Sequence, residues 1–191
     1  MRRVLAALPL VLLLALAGCA ATPAPSGPDE PVPTPFQSCP SSVEGQHSTV
    51  DGGELVPDLS LPCFVGGAAV RLRGLGQPAL INLWASSCAP CRDEMPALQR
   101  FADAVGGRAL VLGVITADTR TAASWAASDF GVRFPSVWDP DRTLLKALGR
   151  PGIPITLFVD ENGVVRHLDM SGSLTYDKIS TLAADHLGLS T

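Results

Sequence analysis

The positions of apolar residues predict the main elements of the folded part of the chain. Ala79–Trp84 is an almost continuous apolar run, which is typical of a central strand buried on both faces. From about Ala89 to Val105, apolar side chains recur every three or four positions, which predicts an amphipathic helix. The same patterns predict further strands at residues 109–115, 155–159 and 164–168, and further helices at residues 121–130, 141–148 and 175–187.

The order of these elements indicates the fold class. Strands and helices first alternate, then two strands flank the turn Asp160-Glu161-Asn162-Gly163, and a helix comes last. The alternation favours parallel strands, whereas a hairpin requires antiparallel ones. We therefore predict an α/β fold with a central mixed β-sheet, flanking helices and an N-terminal extension.

The N-terminal residues resemble an export signal. Arg2 and Arg3 precede an apolar run at residues 4–17, which is short for a membrane-spanning helix. The run ends in Leu16-Ala17-Gly18-Cys19, which resembles the bacterial lipoprotein processing box and implies that Cys19 carries a lipid. Lipidation would anchor the protein to the outer face of the bacterial cell membrane. An ordinary cleaved signal and an uncleaved anchor are the alternatives.

A proline-rich segment follows Cys19. Proline occupies nearly every second position at residues 20–35, which excludes a helix or a central strand and favours an extended tether of about 50 Å. The chain thus divides into a signal peptide at residues 1–18, a lipidated cysteine with its tether and connecting segment at residues 19–50, and a folded domain at residues 51–191.

Composition limits the possible partners. The chain of 191 residues is long enough for one domain with an adequate core. Its net charge of −4, its isoelectric point near 5.2 and its 5% of aromatic residues provide neither a basic patch nor a stacking platform for nucleic acid. No nucleic-acid partner is expected.

Candidate chemistry lies between the first predicted strand and its helix, where Cys88 and Cys91 stand three residues apart. A helix start presents unpaired N–H groups and the positive end of the helix dipole, and both lower the pKa of a thiol. The spacing puts the second sulfur one turn away on the same face, within reach of a disulfide. We predict that Cys88 is the exposed nucleophile and that Cys91 is the resolving thiol, with no cofactor.

Metal-based uses of the cysteine pair fit the sequence less well. A c-type haem site needs a histidine directly after Cys91, where this chain has Arg92. A structural zinc site needs a second pair of ligands, but the other cysteines stand alone and the three histidines lack ligand spacing. No metal site is predicted.

Cys39 and Cys63 remain after Cys19 and the close pair are assigned. An exported compartment permits a structural disulfide between them, which would stabilise the start of the domain by about 3.5 kcal/mol through loop closure. The alternative is a second redox couple that passes electrons to Cys88 and Cys91.

A series of short motifs runs in order through most of the folded domain. The motifs are Pro57-Asp58-Leu59, Ile81-Asn82-Leu83-Trp84-Ala85, Cys88-Ala89-Pro90-Cys91-Arg92-Asp93-Glu94-Met95-Pro96, Phe134-Pro135, Asp139-Pro140-Asp141, Gly152-Ile153-Pro154 and Asp160-Glu161-Asn162-Gly163. Over residues 55–188 they resemble thioredoxin, and more closely the membrane-tethered TlpA/ResA-like thiol–disulfide oxidoreductases. The resemblance implies a thioredoxin-like fold and thiol–disulfide exchange.

The resemblance also assigns a substrate groove. Pro154 matches the family's cis-proline, which faces the cysteine pair; a trans proline that opens a strand is the alternative. Ile153 would offer backbone hydrogen bonds to an extended substrate. Trp84 is expected beneath the site, more as core packing than as a substrate contact. Ser87 departs from the family, which has tryptophan directly before the first cysteine, so the choice of partner stays open.

Glu94 matches an acidic residue that ResA-like proteins place near their cysteines. Thioredoxin has a buried aspartate at the position of Asn82, and asparagine cannot ionise. Glu94, one turn past Cys91, is therefore expected to act as the general acid or base. A surface glutamate that complements the first half of the helix is the alternative.

The resemblance further suggests a direction and partners. No cation flanks the sulfurs within the Ala89-Pro90 dipeptide, which favours a reductase, as in cytochrome c maturation, over a DsbE-like disulfide-forming oxidase. The expected partners are exported thiol or disulfide proteins, apocytochrome c among them, and a membrane thiol electron donor. A thiol peroxidase would need a Pro-x-x-x-Thr-x-x-Cys motif, and Cys88 lacks that context. A Sco-like copper module would need CxxxC with a distant histidine. The spacing here is one residue short, and His167 is expected at the surface.

Overall fold

The computed structural model describes residues 33–43 and 53–191. The predicted signal peptide, the lipidation site Cys19 and most of the tether lie outside the described residues. Within the described ranges, no helix is long and apolar enough to cross a membrane.

Eight strands and four α-helices make up the described chain. The strands are β1 (Glu54–Leu55), β2 (Ser60–Leu61), β3 (Val70–Arg71), β4 (Ala79–Trp84), β5 (Leu110–Thr116), β6 (Ser136–Asp139), β7 (Ile155–Val159) and β8 (Val164–Asp169). The helices are α1 (Ala89–Val105), α2 (Arg120–Asp129), α3 (Thr143–Ala147) and α4 (Tyr176–Leu187). Short 3₁₀ helices lie at Leu72–Gly74 and Gly106–Arg108.

Six strands form a mixed central sheet in the order β1-β8-β7-β4-β5-β6. β4 pairs in parallel with β5, which pairs in parallel with β6. On its other side β4 is antiparallel to β7, and β7 and β8 form the predicted hairpin. β2 and β3 form a separate antiparallel pair. The mixed sheet and its flanking helices confirm the predicted α/β class.

The core has two layers, because β4 is buried on both faces. Leu80 and Trp84 point to a cluster formed largely by α1, α2 and α4, whereas Ile81 and Leu83 point to a cluster on the opposite face that includes α3. Every residue of β4 is buried. The near-continuous apolar run in the sequence reflects this two-sided burial.

Residues 33–43, here called the N-terminal strap, pack on the domain. The buried ring of Phe36 contacts Phe64 and Trp84, with ring centroids 5.0 and 6.3 Å away. The backbone N–H of Gln37 donates to the carbonyl of Arg133 at 2.8 Å. The sequence places these residues in the connecting segment, and the structure adds Phe36 to the core.

The sequence patterns did not predict four of the strands, and the helix predicted at residues 141–148 is longer than α3 (Thr143–Ala147). β6 carries buried polar side chains, and β1 to β3 have two residues each, so none of them shows a periodic apolar pattern. The prediction of a helix at residues 141–148 is wrong at its start. Arg142 has left-handed backbone at φ 60°, and the helix begins where the Asp139 carboxylate accepts the N–H groups of Thr143 and Leu144 at 2.7 and 2.9 Å.

Candidate active site

The predicted cysteine pair lies where β4 leads into α1. Cys88 is the N-cap residue of α1 and has extended backbone. Its Sγ accepts a hydrogen bond from the N–H of Cys91 at 3.2 Å. An N–H donor and the positive end of the helix dipole both stabilise a thiolate at this position.

The two sulfurs form a disulfide but differ in exposure. The Cα atoms of Cys88 and Cys91 lie 5.3 Å apart. Cys91 is fully buried, whereas Cys88 is partly exposed. A partner's sulfur can therefore reach Cys88 but not Cys91, which suits Cys88 to attack and Cys91 to resolution.

Asp118 holds the loop that leads to Cys88, and sequence reasoning missed it. Its carboxylate accepts the N–H of Ser86 at 2.6 Å and the hydroxyl of Ser86 at 2.8 Å. It also accepts the N–H of Thr119 at 2.7 Å. β4 and β5 are parallel neighbours, so the residues just after them meet at one edge of the sheet. An aspartate after the second predicted strand was therefore a usable signal.

A groove of about 480 Å³ opens beside Cys88. Its walls come from the loops that follow β4, β5 and β6 and from the loop before β7. The residues that line it are Ala85, Ser87, Cys88, Ala89, Pro90, Thr116, Ala117, Arg142, Leu145, Pro151, Gly152 and Ile153. Small and apolar side chains predominate in this lining.

The peptide bond between Ile153 and Pro154 is cis. Ile153 lines the groove, and Pro154 is buried behind it. Gly172, in the loop between β8 and α4, lies against both Pro90 and Pro154. A Cβ on Gly172 would come within 3.3 Å of Pro90 Cβ and 3.8 Å of Pro154 Cγ. The structure thus brings the Ile153-Pro154 bond and the loop around Gly172 close to the start of α1, where the cysteine pair lies.

Trp84 lies in the core beneath the site, and it is absent from the residues that line the groove. Its side chain is 1% exposed and packs in the core, so it supports the site from below. Asn82 is also buried, and its amide donates to the hydroxyl of Thr156 at 2.9 Å. Since an amide cannot titrate, Asn82 supplies no proton to the sulfurs.

Glu94 is the titratable side chain buried next to the site. It is 1% exposed, so the surface alternative is wrong. One carboxylate oxygen accepts the N–H of Leu174 at 3.0 Å, and the other has no hydrogen-bond partner among the described residues. Burial raises the pKa of Glu94, and the nearby carboxylates of Asp169 and Asp93 add to this, against the opposing effects of the Leu174 hydrogen bond and Lys178.

Glu94→Gln is expected to change the pH dependence of stability. Burial raises the pKa of Glu94 in the folded state. The contribution of Glu94 to the free energy of unfolding is therefore fully present below the unfolded pKa of about 4.3, and it is lost as pH rises through the folded pKa. Glutamine can keep the hydrogen bond to Leu174 without this loss. We therefore expect the variant to match the wild type near pH 3 and to exceed it at pH 7, as measured by urea unfolding at both values.

The same variant tests the predicted proton-transfer role. The alkylation rate of reduced Cys88, measured against pH, should lose the inflection that Glu94 contributes above the usual carboxyl range. Identical pH–rate profiles of the wild type and Glu94→Gln would refute the proton-transfer role. Equal unfolding curves of the two proteins at pH 7 would contradict a raised pKa of Glu94.

Cys39 and Cys63 form a second disulfide, with Cα atoms 5.9 Å apart. Cys63 is buried and forms an isolated antiparallel bridge with Val137 of β6. The disulfide therefore fastens the N-terminal strap to the edge of the sheet. Phe36, three residues before Cys39, and Phe64, directly after Cys63, pack together near Trp84.

In the part of the chain that the structure describes, no three histidine, cysteine or acidic side chains are arranged to hold a metal ion. His167 is half-buried rather than at the surface, and its ring stacks on that of His186 with centroids 4.5 Å apart. Burial, and then the neighbouring His186, lower the pKa of His167.

Comparison with known proteins places this site in a family. Residues 53–168 match the AhpC/TSA family. The chain belongs to the AhpC/TSA family. Among its relatives, the thiol:disulfide interchange protein DsbE of Pseudomonas fluorescens biotype C is 34% identical over 116 residues, which cover 60% of this chain and 64% of the relative. DsbE of Allochromatium vinosum is 36% identical, with 58% and 62% covered. The match thus spans less than two thirds of these relatives.

Other comparisons agree on the fold of this AhpC/TSA member. The thiol-disulfide oxidoreductase ResA of Geobacillus thermodenitrificans is 27% identical over 135 residues, with 70% of this chain and 77% of the relative covered. The crystal structure of a secreted Mycobacterium tuberculosis disulfide oxidoreductase homologous to DsbE superposes with a TM-score of 0.59 at 21% identity, covering 67% of this chain and 96% of that chain. The predicted thioredoxin-like fold and the resemblance to ResA-like proteins are confirmed.

Proposed function

We propose that this protein is a thiol–disulfide oxidoreductase that acts on exported proteins through Cys88 and Cys91. The observation that carries the proposal is the disulfide between a partly exposed cysteine at a helix N-cap and a fully buried one. The adjoining groove and the cis bond before Pro154 support a peptide segment as substrate. The relatives named DsbE and ResA support the same reaction.

The reaction consists of two exchanges in the reductase direction. The Cys88 thiolate attacks one sulfur of a partner's disulfide, so that a mixed disulfide forms and the partner's other sulfur leaves as a thiolate. The Cys91 thiolate then attacks the Cys88 sulfur, which releases the second partner thiolate and closes the Cys88–Cys91 disulfide. Each partner thiolate takes up one proton, and the protein's two thiols supply them. Two electrons thus pass to the partner.

The reductase direction is tested by the reduction potential of Cys88–Cys91, measured by equilibration with defined thiol/disulfide buffers. We expect a value near that of thioredoxin, about −270 mV. A value near about −120 mV would mean that the protein donates its disulfide, so the oxidase alternative would hold. Reduction of insulin should accompany the low potential, and hydrogen peroxide turnover should be negligible, which separates the proposed activity from that of a thiol peroxidase.

We further propose an extracytoplasmic location with a lipid anchor on Cys19. The signal-like N-terminus supports export, and the Cys39–Cys63 disulfide suits an oxidising compartment. In this setting the partners would be exported proteins such as apocytochrome c, with a membrane thiol protein as electron donor. The mass of the mature N-terminal peptide tests the anchor. We expect a peptide that begins at lipidated Cys19, and a peptide that begins elsewhere and carries no lipid would contradict the proposal.

A further inference from the structure

Of the residues that the structure describes, Arg142 is the one charged residue in the lining of the active-site groove. All the other described residues that line the groove are apolar or neutral, and Cys88 and Ile153 are among them. The side chain of Arg142 is exposed. A partner segment seated against Cys88 therefore lies beside one positively charged residue.

The guanidinium of Arg142 is available to a partner. Within residues 33–43 and 53–191, no carboxylate lies within ion-pair distance of it, and no hydrogen bond engages its side chain. Asp118, the acidic residue beside groove-lining Ala117, is occupied by its hydrogen bonds to Ser86 and Thr119. Lys146 in α3 and Arg150 are exposed, and so is Asp141, which directly precedes Arg142 in the chain but forms no ion pair with it.

The backbone that presents Arg142 is held in an unfavourable conformation. Its φ is 60°, and the other non-glycine residue with positive φ in the described chain is Ala117, at φ 52°, which also lines the groove. A side chain in this region is strained relative to glycine. The N–H of Arg142 donates to the carbonyl of Asp139 at 3.2 Å, which helps to fix the turn. Strained residues concentrate where a site requires them.

We propose that Arg142 determines specificity by selecting partner segments with an acidic side chain close to the cysteine under attack. This rests on the proposed thiol–disulfide exchange. A guanidinium binds a carboxylate through two parallel hydrogen bonds, a geometry that a lysine or an amide cannot provide. An extended segment paired with the backbone of Ile153 would present alternate side chains to the groove wall. Because the whole chain has a net charge of −4, long-range attraction does not favour acidic partners, and local contact with Arg142 makes the selection.

Three capped disulfide peptides test the proposal. They share one sequence and differ in a single residue beside the reactive cysteine, which is Glu, Gln or Lys. With the reduced protein in stopped flow at low ionic strength, we expect the Glu peptide to react about fivefold faster than the Lys peptide, as for one partly exposed ion pair. Arg142→Glu should invert the preference, and the preference of the wild type should shrink in 1 M salt.

Two further variants separate this role from structural and general charge effects. Arg142→Gly favours the left-handed backbone, so the turn is retained, and the peptide preference should vanish. Lys146→Glu makes the same charge change at an exposed residue outside the groove lining, and the preference of the wild type should persist within twofold.

Each outcome decides one point. An unchanged peptide preference in both Arg142 variants overturns the specificity role of Arg142. In that case, reduction of the Gln peptide by the wild type still upholds the proposed function. Failure of the wild type to reduce any of the peptides overturns the proposed function itself. An equal slowing of all three peptides in Arg142→Gly, together with a raised pKa of the Cys88 thiol, would assign Arg142 to thiolate stabilisation and would also overturn the specificity role.

Discussion

Cys91→Ser is expected to turn the protein into a covalent trap for the disulfide partners that it attacks. Cys91 is fully buried next to Cys88, so in the wild type it resolves each mixed disulfide at once. Serine cannot attack the Cys88 sulfur. Mixed disulfides should therefore accumulate, and turnover should fall by about a thousandfold or more. Non-reducing electrophoresis and intact mass measure the adducts.

The matched control is Cys88→Ser, which removes the exposed sulfur and leaves the buried one. It should form no adduct and show no turnover, because the remaining sulfur is inaccessible. Adducts of Cys88→Ser, or normal turnover in either variant, would contradict the assignment of the two sulfurs. Both variants should unfold cooperatively, which excludes misfolding as the cause.

Replacing Cys39 and Cys63 together by alanine is expected to lower the free energy of unfolding by about 3.5 kcal/mol, and Tm by about 10 °C. The two cysteines are 24 positions apart, and their bond restricts this loop in the unfolded chain. The N-terminal strap also loses its covalent link to the sheet edge. Urea unfolding, with Cys88–Cys91 oxidised in both proteins, measures the difference.

The same variant distinguishes the two interpretations of this disulfide. If the bond is structural, the rate of insulin reduction by the variant, measured at a temperature below its unfolding transition, should stay within about twofold of the wild-type rate. Loss of turnover with stability intact would favour an electron relay through Cys39 and Cys63 and would contradict the structural interpretation. Alanine suits Cys63, since a serine hydroxyl would be buried at this 2% exposed position.

The central elements could be predicted because their signals are local. β4 is buried on both faces and is apolar almost throughout, and α1 follows an N-cap residue and keeps helical spacing. β6 could not be predicted in this way. Its Ser136 and Asp139 are polar yet buried. Their backbone carbonyls accept from Phe64 and Ala117, which are distant in the chain. The start of α3 depends on the nearby carboxylate of Asp139.

The site was predictable where its chemistry lies in one segment. Cys88 and Cys91 follow from their spacing at a helix start, and Glu94 falls on the same helical face as Cys91 and Leu98, a sign of burial that the sequence offered. Asp118 and Arg142 come from loops far away in the chain, and only the strand order brings them to the cysteines. Apolar periodicity carries no information about such residues.

The segment around Cys63 also covers one edge of the central sheet. β6 is an edge strand of the central sheet, and exposed edges recruit strands from other molecules. Here the N–H of Trp138 donates to Pro62 and the N–H of Phe64 donates to Ser136, both at 2.8 Å, so the edge is already occupied. The Cys39–Cys63 bond holds this cover in place. We therefore expect formation of the Cys39–Cys63 bond to keep this sheet edge closed to strands of other molecules.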